Sequence, residues 1–254
     1  MIDSWGSTTL AAAFDEAAPR YDLMVALNPG YHRELAAAAG GLAAWLGSGR
    51  SRLVDLGCGS GASTRALLQA FRHGTRPEIL GIDASAGMLT RAGTKPWPSG
   101  VRFERCFAQD LADKRDQLVL GEAVDGVFAA YLFRNVGPAD RDRTLAAVRL
   151  VLRPGGVLVV QEYSVAGARL AGLVWTLVCW LVVIPLSWFT LRRTRLYRYL
   201  WSSVRSFESV QAFVDRLYAA GFVDVEVRTA RGWQRGILHT FRARRPGETP
   251  AASR

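Results

Sequence analysis

Apolar residues along the chain fall into two recurring patterns. Five short runs read as strands, over residues 52–55, 78–83, 101–106, 124–130 and 157–163, the last apolar apart from Gln161 and Glu162. Between them, apolar residues recur at helical spacing. Ala66, Leu67, Leu68 and Phe71 predict a helix over residues 62–71, and a second runs through Met88 and Leu89. A third, over 139–152, carries Leu145, Val148, Leu150 and Val151 and is stopped by Arg153-Pro-Gly-Gly156. Near-continuous apolar strands alternating with helices predict a parallel sheet covered on both faces. Farther on, Val210, Phe213, Val214, Leu217 and Tyr218 predict an amphipathic helix over 209–220. Residues 222–229 alternate and 236–243 follow, a terminal hairpin at the sheet edge. The first fifty residues show no strand alternation. Residues 1–10 read as unstructured or loosely helical, and the Ala-rich 33–45 as a helix, so this block predicts a helical cap.

One segment breaks the pattern. Residues 170–191 hold no charged side chain over 22 positions, with Trp175, Trp180 and Trp188 inside, Arg169 before and Arg192, Arg193 and Arg195 after. Alone, that is long enough to cross a bilayer. If the terminal hairpin completes the same sheet as strands one to five, both ends must lie on one side of the membrane, and Pro185 would help the chain turn. A monotopic membrane-docking element over 170–195 satisfies both constraints, and a soluble lid over a pocket is the alternative. The chain then divides into a helical cap (1–50), a core (51–164), an apolar insertion (165–206), a helix and strands completing the core (207–243) and a disordered tail (244–254).

Composition narrows the partners. The 254 residues carry a net charge of +10 with pI near 10.2, half are hydrophobic, and mean hydropathy is +0.08. A large core is available, and the charge suggests an anionic partner, although an Arg- and Ala-rich chain also fits a GC-rich genome. The arginines cluster beside the apolar segment, which favours lipid. No nucleic acid is expected as a partner. Cys58, Cys106 and Cys179 show no metal or disulfide spacing, nor do His32, His73 and His239. A reducing compartment and no metal are expected. Residues 1–10 lack the basic start and apolar core of a signal peptide.

The candidate chemistry starts at Leu53-Val-Asp-Leu-Gly-Cys-Gly-Ser-Gly61. A strand, three alternate glycines and a helix N-terminus let a ligand lie on bare backbone beside unpaired N–H groups. The third glycine falls one position early for a dinucleotide site, and Asp55 suits a ligand with an amino group better than a pyrophosphate. The stretch resembles motif I of the class I S-adenosylmethionine (SAM) methyltransferases. That resemblance implies an α/β fold with a doubly wound, mostly parallel, Rossmann-like sheet, a C-terminal antiparallel hairpin and SAM as methyl donor. It implies cofactor contacts from Asp55, Gly57, Cys58, Gly59, Ser60 and Gly61. It adds Asp83, with Ala84 and Met88, at the tip of strand two for the ribose, with an N-cap from Asp83 or Ser85 on the helix through Met88 and Leu89 as the alternative or additional role. Asp110 and Leu111 would serve the adenine, with a plain surface-loop acid as the alternative for Asp110, and Ala130 would close the set at the end of strand four.

The match extends further. Phe14-Asp15, Ala18, Tyr21-Asp22, Met24 and Gly30-Tyr-His32-Arg33 resemble the N-terminal signature of the ubiquinone and menaquinone biosynthesis methyltransferases. So do Ala130-Tyr-Leu-Phe-Arg134-Asn135-Val136 with the family's S-F-G-L-R-N-V, Leu152-Arg-Pro-Gly-Gly156, Gln161-Glu162-Tyr-Ser164 and Tyr197-Arg-Tyr-Leu200. Ala130 and Val25 depart from that pattern, and the segment after strand five is more apolar than the family norm. The resemblance implies C-methylation of a prenylated quinol, with Tyr21, His32, Arg134 and Asn135 around the acceptor. Arg134 would hold a developing phenolate and His32 would move a proton. Arg134 paired with Asp22 or Glu162, and His32 packed on its helix, are the structural alternatives. Another lipid or polyketide-like acceptor, or a non-catalytic SAM-binding module, are the rival functions. The expected setting is cytoplasmic, on the inner face of the cell membrane, with a homodimer left open.

Overall fold

In the computed structural model, residues 7–26, 28, 30–47, 49–72, 76–118, 123–185 and 195–247 are described. Two helices, α1 (Ser7–Ala26) and α2 (Tyr31–Leu46), precede β1 (Arg52–Leu56). Then come α3 (Ala62–Ala70), β2 (Glu78–Asp83), α4 (Ala86–Gly93), β3 (Val101–Arg105), β4 (Val124–Ala130), α5 (Pro138–Val151) and β5 (Leu152–Tyr163). The insertion supplies α6 (Arg169–Val178), a π-turn (Cys179–Val183) and α7 (Arg195–Ser206). The chain ends in α8 (Val210–Ala219), β6 (Val223–Thr229) and β7 (Leu238–Arg244).

The seven strands form one sheet in the order β3-β2-β1-β4-β5-β7-β6. β1 to β5 run parallel; β7 lies antiparallel to β5, and β6 antiparallel to β7. This is the expected doubly wound sheet with its antiparallel hairpin. The second hairpin strand, not the first, joins the parallel part. Val54, Leu56, Val127, Leu158 and Val160 pack on one face, mainly under α5 and α8. Leu53, Phe128, Val157 and Val159 pack on the other, under α2, α3 and α6. Each such side chain sealed from water contributes about 1.5–3 kcal/mol, which is why nearly every central-strand position is apolar.

Three boundaries differ from the sequence expectation. β5 begins at Leu152 rather than 157, because Arg153-Pro-Gly-Gly156 lies alongside the far end of β7: Gly155 N–H donates to Arg245 O (3.0 Å) and Arg245 N–H to Gly156 O (2.9 Å). The same contacts hold residues 244 and 245, which the sequence assigned to a tail; residues 248–254 lie outside the described set. α1 begins at Ser7, inside the stretch expected to be loose. Helix α7, which the sequence pattern did not single out, links the insertion back to the sheet.

Because β6 and β7 complete the same sheet, the insertion leaves and re-enters on one body. Among the described residues no helix is long and apolar enough to cross a membrane. Of the apolar stretch, residues 186–191 lie outside them.

Candidate functional site

The sheet order reverses between β1 and β4, and ligands of open α/β sheets bind at the carboxyl ends of strands beside such a point. A cleft of about 1010 Å³, measured out to its open mouth, lies there. Its floor is the turn after β1. Gly57 and Cys58 N–H groups both donate to Ile82 O (2.7 and 3.0 Å), pinning the turn to β2. Gly59 takes φ +53° with nothing within 4 Å of where a Cβ would stand, so the backbone is bare toward the cleft. At Gly61, φ is +91° and a Cβ would meet the Trp97 ring at 2.6 Å. The loop is therefore open on one side and closed by an indole on the other.

Asp55 lies beneath this loop. Its Oδ2 accepts Ser63 Oγ (2.7 Å) and Thr64 Oγ1 (2.6 Å), tying β1 to the first turn of α3, while Oδ1 is buried without a partner. Burial raises its carboxyl to about 7 despite those two hydrogen bonds. It is sealed from the cleft, so the structure gives it the loop and α3 to hold rather than a direct ligand contact.

Asp83 is on the cleft wall, as expected, with Ala84 and Met88 beside it. Its two oxygens accept Gly59 N–H (2.8 Å) and Ser85 N–H (2.9 Å), and burial raises its carboxyl above the usual range. Ser85 in turn caps α4, accepting Met88 N–H (3.1 Å). One carboxylate thus fixes the glycine loop and the α4 N-terminus.

Beyond β3 the expected adenine residues do not reach the cleft. A 3₁₀ turn at Ala108–Asp110 sends Asp110 outward to Arg143 (3.1 Å) and leaves Leu111 in the core. Phe107, Ala108 and Gln109 take the wall instead. The amide of Gln109, one residue before Asp110, is on the cleft wall.

The far end of the cleft is aromatic. Tyr21, Tyr31, Tyr131, Arg134 and Asn135 line it beyond Ala130. Tyr31, Tyr131 and Tyr163 stack with centroids 5.1 Å apart, and Trp175 of α6 continues the series at 5.1 Å. Tyr131 has φ +59°, a strained value for a side chain of that size. Its carbonyl accepts both Arg134 Nη1 (3.1 Å) and Asn135 Nδ2 (3.0 Å), which hold the turn in place. Asn135 Oδ1 accepts Tyr199 O–H (3.3 Å) from α7, so both ends of that amide are engaged by protein.

Arg134, its side chain 10% exposed, pairs with Glu162 at 2.6 Å, while its backbone N–H donates to the other Glu162 oxygen (3.1 Å). Burial works against its charge, and Glu162 more than restores it. The ion pair expected with Asp22 or Glu162 is with Glu162. Tyr21 is pushed up to about 12, chiefly by burial, with Arg134 opposing, so its hydroxyl stays protonated at neutral pH.

His32 is exposed and lies edge-on to the Tyr31 ring (5.2 Å), off the cleft. Its neighbour Tyr31, one residue earlier on α2, faces inward. Leu10 and Phe14 of α1 were also not read as wall residues. Their spacing with Tyr21, by four and seven positions, marks one helix face and could have found them.

Comparison with known proteins gives a consistent result. Residues 3–241 match the ubiE/COQ5 methyltransferase family. The chain is 32% identical over 226 residues to a ubiquinone/menaquinone biosynthesis C-methyltransferase of Syntrophotalea carbinolica, covering 86% of this chain and 88% of that one. It is 39% identical to a trans-aconitate 2-methyltransferase of Deinococcus radiodurans over 111 residues, but that match spans 44% of this chain and only 37% of the relative. Among solved structures, a DhpI complex with S-adenosylhomocysteine (SAH) superposes with TM-score 0.58 over 94% of this chain and 96% of that one, at 19% identity, a likeness of fold.

Proposed function

The chain belongs to the ubiE/COQ5 methyltransferase family, and from that premise we propose that it moves a methyl group from SAM to a ring carbon of a prenylated quinol. One observation carries the acceptor half of this reading. A charged guanidinium, Arg134, stands in an aromatic wall of the cleft beyond the glycine loop. Such a wall takes a flat ring, and the guanidinium favours an ionised oxygen on it.

The residues present fit SAM. Gly59 offers bare backbone toward open space, and Asp83 stands where a ribose can donate to it. Gln109 and Phe107 are placed for the adenine. SAM supplies an activated methyl on a sulfonium. The protein's part is to align the ring and exclude water. Arg134 stabilises the phenolate that forms when the ring hydroxyl gives its proton to water and that makes the ring carbon nucleophilic; the methyl–sulfur bond breaks as the carbon–carbon bond forms, and the ring carbon's proton leaves to water as aromaticity returns. Tyr21, protonated, donates to an acceptor oxygen. Asn135 holds the Tyr131 turn, and His32, outside the cleft, has no direct step.

Helix α6 supports a membrane surface as the second partner. Leu170, Leu173 and Leu177, with Leu181 of the following π-turn, project outward, 48–75% exposed, while Ala171 and Trp175, with Cys179 of that turn, are buried against the domain. With Arg169 at its start, this face suits an anionic bilayer at the cytoplasmic side, the source of a prenylated acceptor. Leu173→Glu with Leu177→Glu should lower partition onto anionic phosphatidylglycerol vesicles at least tenfold, from the loss of two leucines. Sedimentation with vesicles checks this, and unchanged partition would place the anchor elsewhere.

The activity is tested by label transfer. Purified protein is mixed with methyl-labelled SAM and a reduced lipid extract from cells lacking the gene, and the product is identified by mass. Label on the ring carbon of a prenylated quinone is the expected result. Label on another lipid would move the acceptor class. Tight SAM binding without transfer would favour a non-catalytic module.

A further inference from the structure

Helix α1 touches the cofactor half of the cleft through two carboxylates seven residues apart, hence on one face. Asp15 Oδ1 accepts Ser85 Oγ (2.6 Å) and Gly87 N–H (2.8 Å) at the start of α4. Residue 87 has to be glycine for this approach, since a Cβ there would stand 2.9 Å from Asp15 Cα. Asp22 makes the second attachment. Its Oδ1 accepts Ser60 Oγ (2.6 Å) and Lys95 Nζ (3.0 Å), and its Oδ2 accepts Arg91 Nε (3.0 Å). Lys95 Nζ also donates to Ser60 O (2.6 Å), closing a ring of contacts on the glycine loop.

Ahead of the first attachment α1 places Leu10, Ala11 and Phe14 on the wall that also holds Asp83, Ala84 and Met88. Tyr21, the residue before Asp22, lines the acceptor end. Asp22 is therefore bonded directly to the loop that cradles the cofactor and joined through one peptide to the acceptor wall. The two attachments differ in kind. Asp15 serves a helix N-terminus and the buried Ser85. Asp22 sits in a half-exposed ion cluster, with side-chain exposures of 31% for Asp22, 42% for Arg91 and 21% for Lys95.

We propose that Asp22 is a positioning residue that latches α1 over the bound cofactor, through Ser60, Arg91 and Lys95, and sets how fast the demethylated product leaves. The proposal rests on the methyltransferase reading only for the identity of that cofactor. The product departs when the Asp22 end of α1 lifts and carries Tyr21 off the cleft wall, and that lifting breaks the Asp22 contacts. Salt screens the Asp22 ion pairs with Arg91 and Lys95, whereas the Asp15 contacts are to a hydroxyl and a backbone N–H, so the latch opens at its Asp22 end.

The test uses the full chain and SAH, with dissociation followed by stopped-flow tryptophan fluorescence; Trp97 against Gly61 is a nearby reporter. In the unsubstituted protein the dissociation rate should rise with salt. Asp22→Asn should speed dissociation about tenfold, as expected for loss of charge-assisted hydrogen bonds, and should flatten the salt dependence. Lys95→Met, which removes one arm from the exposed side, should shift both in the same direction by about threefold and guards against a misfolded Asp22 variant. Equal rates and equal salt slopes in all three proteins would overturn the latch, as would a fall in melting temperature with kinetics unchanged. Failure of the unsubstituted protein to bind SAH would overturn both the latch and the cofactor assignment. Binding without methyl transfer to any lipid would touch only the acceptor reading.

Discussion

Arg134→Ala should lower turnover by about 10²–10³-fold, the loss typical of removing a donor aimed at developing negative charge. SAM affinity should stay within about twofold, because Arg134 stands at the acceptor end and makes no contact with the glycine loop or Asp83. The substitution also strands Glu162, which has 0% side-chain exposure. An unpaired buried carboxylate costs about 3–5 kcal/mol, so a lower melting temperature will accompany the loss. The double variant Arg134→Met with Glu162→Gln separates the two effects. It removes both charges, so stability should largely return while turnover does not. Recovery of turnover in the double variant would make Arg134 a structural ion pair only. Parallel loss of turnover and SAM affinity in the single variant would say the same. The measurements are single-turnover transfer, calorimetric SAM binding and thermal unfolding on one preparation.

The sequence exposed the frame of this site better than its walls. Strand ends are legible because a central parallel strand must be apolar on both faces, and the first polar residue after it marks the cleft. Asp83 and Arg134 were found in that way or by motif. Single-residue facing is harder. On a helix one step turns the side chain by about 100°, so Tyr31 and His32 point to different worlds, and nothing in the composition of residues 30–33 ranks them. The same limit separates Gln109 from Asp110: Arg143, 33 positions away on α5, draws the acid outward and leaves the amide in the wall. Asp55 shows a third kind of miss. Its place two residues before Gly57 suggests a ligand, but the Ser63 and Thr64 hydroxyls that claim it come from the next helix and show only in the fold. Asn135 is similar, since Tyr199 reaches it across 64 positions from a helix that the apolar segment obscured. Apart from the facing of Tyr31 and His32, each miss is a partner from another element deciding what a local pattern leaves open.

Asp83→Ala should weaken SAM binding by about 10²-fold, more than a single lost ribose contact would. A hydrogen bond to a charged group is worth about 1.5–3 kcal/mol, and 1.4 kcal/mol is tenfold, so the ribose contacts alone supply much of that. The rest follows from the backbone. Asp83 anchors Gly59 and Ser85, and alanine frees both N–H groups at once, loosening the loop that offers its bare face to the ligand. Asparagine should not rescue it, because one amide end would set a donor against a donor. The pH dependence carries a sign that checks the same assignment. Burial raises the Asp83 carboxyl in the free protein, and ribose hydroxyls donate best to the ionised form. Affinity should therefore be full while Asp83 is ionised and fall as pH drops through that raised value, earlier than an ordinary carboxylate of 3.8 would allow. In the alanine variant this acid limb should vanish along with the affinity. Titration calorimetry with SAH across pH 4–8 measures both. Unchanged affinity in the variant, or an acid limb that survives it, would mean that another group holds the ribose and that Asp83 serves only to fold the loop.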